Sequence, residues 1–213
     1  MNGTRTSKKA ALAAGLATLF AGMFVAGSHF TKADASGMPA DKATATGSTV
    51  QVFAPNTDVT LLKAQLKTST PEDLLLAVTL ECSILTQVST TGTATSSASG
   101  EVDVWVEVDG VNVPVDRHAA DGGRVTFCRR DATQTVTDGD QGSTSGDTIT
   151  EYLNTKAAHG FNWAAYNVNT FAGTNIHTVT VHATLTTSNT SNASAQAAVG
   201  NRSLVIEPTK LAD

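Results

Sequence analysis

The sequence predicts an all-β fold, an antiparallel two-sheet sandwich of immunoglobulin-like or jelly-roll type, with one short helix near residues 148–158. Three observations predict it. Apolar residues recur at period two in several long runs. Thr supplies 34 of the 213 residues while only 15% are charged, a composition ill suited to the solvent faces of helices. Polar stretches rich in Gly and Ser separate the runs. An apolar content of 40% excludes wholesale disorder.

Residues 1–35 read as a secretory signal peptide. Arg5, Lys8 and Lys9 form a basic start, and Ala10 to Phe30 carry no charge. Ala33-Asp34-Ala35 then offers the small-x-small pattern of a cleavage site, with Ser36 as the first mature residue. The competing reading is an uncleaved anchor, since about 20 apolar residues span a bilayer. The expected location is secreted or extracellular, with no membrane association once the leader is removed. Cleavage would take away Arg5, Lys8, Lys9, Lys32 and Asp34, leaving 10 basic and 18 acidic side chains and a net charge of −8. Such a surface repels phosphate backbones, so no nucleic-acid partner is expected.

Residues 36–48 read as a flexible mature N-terminus, and 49–213 as one β-sandwich domain. Segments 49–54 and 58–67 are strand candidates. Leu74, Leu76, Val78, Leu80, Cys82 and Ile84 fall on one face of a long strand. Residues 88–100 read as a polar link. Val102, Val104, Val106 and Val108 then face inward, with Glu101, Asp103, Trp105, Glu107 and Asp109 on a wet outer face. Asp109-Gly110 fits a two-residue type I′ turn into Val111, Val113 and Val115.

Segment 124–130 is a strand with a conflict: Val125 and Phe127 share a face, yet Cys128 falls on the other. Either a bulge changes the register or Cys128 points away from the core. Thr148-Ile149-Thr150-Glu151 matches a capping box, and Ile149, Tyr152, Leu153 and Lys156 continue at helical spacing toward Gly160. Segments 161–168, 176–187 and 202–208 complete the strands.

Cys82 and Cys128 are the only cysteines, and an even number behind an export signal predicts a disulfide. No catalytic constellation is visible. There is no G-x-S-x-G elbow and no Gly-rich phosphate loop, and no cofactor motif is present. His118, His159, His177 and His182 read as structural or surface histidines; His177 and His182 lie on opposite faces of one strand and cannot share a metal. No metal site is expected, the nearest candidate being a calcium loop of Asp138, Asp140 and Asp147, whose spacing departs from the helix-loop-helix cage. Trp105, Trp163 and Tyr166 are the candidate binding residues, as aromatic platforms for a glycan.

The stretch "GFNWAAYNVNTFAGTNIHTVTVHATL" with "AAVGNRSLVIEP" resembles a pattern in uncharacterised exported bacterial β-sandwich proteins. It covers about the last quarter of the chain. The resemblance implies an exported sandwich and brings no catalytic residues. The expected function is therefore a secreted, non-enzymatic binding or structural module, with a glycan or cell-surface partner as the sharpest version. The alternatives are an extracellular carbohydrate-active hydrolase using the acidic strand, and a self-assembling surface subunit.

Overall fold

The computed structural model describes residues 42–68, 72–91, 94–115, 122–137, 148–168 and 176–210. The leader, the calcium candidates Asp138, Asp140 and Asp147, and His118 lie outside the described residues. Ten strands run through the rest: β1 (Ala43–Gly47), β2 (Gln51–Phe53), β3 (Val59–Lys67), β4 (Asp73–Thr91), β5 (Thr95–Val108), β6 (Val111–Asn112), β7 (Val125–Thr135), β8 (Thr148–Ala165), β9 (Ile176–Asn189) and β10 (Ala193–Thr209). They form two antiparallel sheets. One has the order β1-β10-β4-β8, with β2 also on β10; the other has β3-β9-β5-β6, with β7 also on β5.

Period two does the work. The six alternating residues Leu74 to Ile84 of β4 are all buried, as are Val102 to Val108 on the inner face of β5 and Val179 to Leu185 on that of β9. Leu204, Ile206 and Val199 of β10 close the filling from the first sheet. β4 packs over β5 and β7, β10 over β5 and β9, and β1 over β3. The Asp109-Gly110 turn has positive φ at both positions, 53° and 82°, as a type I′ hairpin requires.

Three bulges decide which side chains enter. In β7, Val102 faces Cys128 while Asp103 faces Thr126, so Phe127 is the extra residue. The bulge turns both Phe127 and Cys128 toward the core and resolves the conflict left by the alternation. Cys128 then meets Cys82 of β4 in a disulfide between the sheets, with Cα atoms 6.2 Å apart. In β3 the extra residue is Leu61, so Leu61 and Leu62 are both buried. In β10 the break lies between Val199 and Arg202 and swings Arg202 inward.

Three expectations are corrected. Residues 148–158 are not a helix. They belong to β8, which pairs with β4 from Leu74↔Ala165 to Thr91↔Thr148. A helix there would bury only Ile149, Tyr152 and Leu153, whereas the open edge of β4 offers a full backbone ladder. Its β-branched and aromatic residues also suit a pleated surface. Cross-strand pairs reinforce it: Thr91 with Thr148 at 2.8 Å, Ser89 with Thr150 at 3.0 Å and Ser83 with Asn154 at 3.0 Å.

Residues 88–100 are not a free link either. β4 continues to Thr91, β5 starts at Thr95, and Val88 and Ala98 pack with Ala132 in a small second core. Buried hydroxyls there are satisfied, Thr90 donating to Gln134 at 3.0 Å and Ser96 bonding Thr190 at 3.2 Å. Finally, β1 lies within the stretch read as a flexible N-terminus, because Ala43 and Ala45 bury against the core along β10.

Candidate functional site

The chemistry-bearing residues gather on the outer face of β5 and at its hairpin end. Alternation sets Glu101, Asp103, Trp105 and Glu107 outward, beside Thr186, Thr184, His182 and Thr180 of β9. Each carboxylate has a lateral partner. Thr126 Oγ1 lies 3.0 Å from Glu101 Oε1 and 2.8 Å from Asp103 Oδ1, and Arg129 lies 3.4 Å from Glu101. Glu107 Oε2 is 3.4 Å from His182 Nε2. These contacts run along the sheet surface.

Trp105 was expected as an exposed platform and is not one. It is only 3% exposed. The His182 ring stacks on it with centroids 5.3 Å apart, and the Arg124 guanidinium carbon sits 3.8 Å from the ring centroid. The reason is register: Trp105 and His182 are direct cross-strand partners, and a large ring on a pleated face covers its neighbour.

Trp163 is likewise a core residue, fully buried on the inner face of β8. Phe161 meets it edge-on at 4.8 Å and Phe127 stacks at 6.1 Å. Its indole N–H donates to the Gly123 carbonyl at 2.8 Å. Gly123 has φ of 73°, and a Cβ there would fall 1.8 Å from the Val113 carbonyl oxygen, so only glycine fits. Tyr166, the third aromatic candidate, borders an opening. It is half-buried on an apolar cleft of about 140 Å³ with Val108, Val111, Val113, Pro114, Ala165 and Val168.

The histidines separate as alternation requires. His182 faces outward on Trp105. His177 faces the core end, fully buried, with Nδ1 2.8 Å from Asp109 Oδ2. Asp109 Oδ1 also accepts the Thr178 N–H at 2.8 Å, so this carboxylate ties the hairpin turn to β9. His159 stands exposed in β8 opposite Leu80. Among the described residues no group of three His, Cys, Asp or Glu gathers to hold a metal.

Arg202 went unnoticed in the sequence. Its guanidinium is buried, has no carboxylate partner among the described residues, and donates to the carbonyls of Leu61 at 2.9 Å, Thr49 at 2.7 Å and Gly200 at 3.1 Å. Burial pushes its pKa down from the ordinary arginine value. It clamps the β3 bulge, the β1–β2 link and the β10 bulge together. The available signal was the change of parity between Val199 and Leu204, two inward residues an odd number apart. Outside, Glu81 of β4 pairs with Lys156 of β8 at 2.8 Å; this bond, with Asn201 beside it, holds the Glu81 carboxyl below its ordinary value against some desolvation.

Fold and site together define a disulfide-linked, all-β two-layer protein. No family model matches the chain, and no curated protein matches it. Among solved structures it is similar to a chain of the T13 infectious bursal disease virus particle, at 12% identity over 81% of this chain and 36% of that one, with a TM-score of 0.30. It is also similar to a chain of infectious bursal disease virus strain Gt, at 14% identity over 79% and 41%, with a TM-score of 0.18. The chain spans well under half the length of those two. Scores at that level carry neither a fold assignment nor a function.

Proposed function

We propose that the chain is an exported, non-enzymatic binding or structural module that acts at or outside the cell surface. The observation that carries this reading is the lateral engagement of the acidic strand. Glu101 and Asp103 meet the single Thr126 hydroxyl, Arg129 flanks Glu101, and Glu107 lies 3.4 Å from His182, all along one sheet face. Glycosidic chemistry needs two carboxyl groups converging across a cleft, about 5 Å apart for retention and wider for inversion. The cleft at Tyr166 is lined by apolar side chains and Asn112 instead. The disulfide adds support for an oxidising compartment, and among the described residues no helix is long and apolar enough to cross a membrane.

Mass spectrometry of culture supernatant, with and without reduction, tests the exported part. The expected species starts at Ser36 and gains two hydrogens on reduction. A full-length, already reduced chain confined to the cytosol would end the reading. Incubation with a polysaccharide panel tests the non-enzymatic part: hydrolysis that disappears in Glu107→Gln would establish the hydrolase alternative. Binding without hydrolysis, lost in Tyr166→Ala, would fix the glycan version on the cleft.

A further inference from the structure

We propose that two copies of this chain associate edge to edge through β8, extending the β1-β10-β4-β8 sheet across a two-fold axis centred on Thr155. The inference rests on the strand edges and stands whether or not the chain is exported.

A free strand edge exposes unpaired N–H and C=O groups, and proteins shorten, bulge or break such edges to prevent pairing. Three of the edges here follow that rule. β1 and β2 are 5 and 3 residues long. β3 carries the Leu61 bulge, and the β5–β7 ladder breaks at Phe127. β8 does not follow it. It is 18 residues long, contains no proline, and keeps one register along β4 from end to end. Among the described residues nothing pairs with its outer edge. It also holds Ile149 at 47% and Tyr152 at 50% exposure, two of the most exposed large apolar side chains.

The sequence of β8 selects the partner. A two-fold axis perpendicular to a continuous sheet pairs residues of equal parity, because opposed residues must point to the same side. Centring on Thr155 sets Glu151 against His159 of the other copy, Ile149 against Phe161, and Leu153 against Ala157, each twice by symmetry. On the outer face Tyr152 meets Ala158 and Asn154 meets Lys156, and each Lys156 is already held by its own Glu81. Moving the centre to Asn154 or Lys156 loses the Glu151–His159 pairing, and the second puts Lys156 against itself. The strand is thus complementary to its own reverse in hydrogen bonding, through Glu151 and His159, and in size. β7 lies beneath the sheet, packing more on β4 than on β8 and reaching Thr155 from below through Arg130, and among the described residues it does not pair with the outer edge of β8.

The experiment measures mass by sedimentation and light scattering across concentration on the purified chain, with four variants. A dimer is expected. Thr155→Cys places one thiol against its own copy and is expected to give a cross-linked dimer under mild oxidation, whereas Asn154→Cys, which faces Lys156, gives little. Glu151→Lys is expected to weaken association about tenfold, since the carboxylate that accepts from the His159 ring N–H is lost at both symmetry-related pairs. Adding His159→Glu reverses the pair and is expected to restore affinity to within about threefold of the parent. A monomer up to about 0.5 mM overturns the proposal. So does a dimer that Thr155→Cys fails to link and the charge reversal fails to rescue, because it would then use another face.

Discussion

Replacing both cysteines by alanine isolates what the inter-sheet bridge contributes. The disulfide joins residues 46 apart in sequence. On the chain-entropy account, closing a loop of that length destabilises the unfolded ensemble by about 4 kcal/mol. Cys82 is 1% exposed in the middle of the core, so truncating its sulfur adds about 1 kcal/mol for a small void. The double variant Cys82→Ala/Cys128→Ala is therefore expected to lose about 5 kcal/mol, a large part of the 5–15 kcal/mol that folded domains typically hold. Urea unfolding followed by tryptophan fluorescence reads this directly, because Trp105 and Trp163 are both buried. With a slope of about 2.5 kcal/mol/M, the midpoint should fall by about 2 M. The fold should survive otherwise, since Phe127 and the ladders around the bulge remain. A loss below about 1 kcal/mol would refute the reasoning, because the cross-link would then constrain a denatured chain already ordered between Cys82 and Cys128.

Arg202→Met should cost about 3 kcal/mol in the same assay, because it strips charge-assisted bonds from three carbonyls, two of them at bulges; Arg202→Lys should recover part of it. Glu81 has its pKa lowered in the folded state, so its pairing supports the fold above the ordinary value of 4.5 and is lost as pH falls through that value and below. Carboxyl titration by NMR should place Glu81 below the ordinary glutamate value, and Lys156→Met should return it toward that value. Trp163→Phe removes the N–H that holds the Gly123 carbonyl and should cost about 1–2 kcal/mol, with faster amide exchange in residues 122–125 as its local signature.

Much of the architecture was legible because a strand buried on one face writes period two into the chain. Leu74 to Ile84 and Val102 to Val108 could be placed inside from spacing alone, and the Asp109-Gly110 turn from its need for positive φ. The helix expected at 148–158 shows the limit. Thr148 to Glu151 carry a real local capping signal, but the pattern of a segment does not record that β4 leaves an open edge beside it. The site was less legible than the fold. Trp105 lay on the predicted outer face, yet its burial depends on His182 and Arg124, which are 77 and 19 positions away in sequence.

By itself the sequence determined the two-layer class, the inner residues of the central strands and the pairing of two cysteines, because these depend on local alternation and on composition. Only the tertiary structure decided where the alternation breaks. The extra residues at Leu61, at Phe127 and ahead of Arg202 each reverse which side chains enter the core, and whether a strand takes an extra residue depends on the partner strand opposite. For the same reason the long open edge of β8 emerges only after every other strand has found its neighbour.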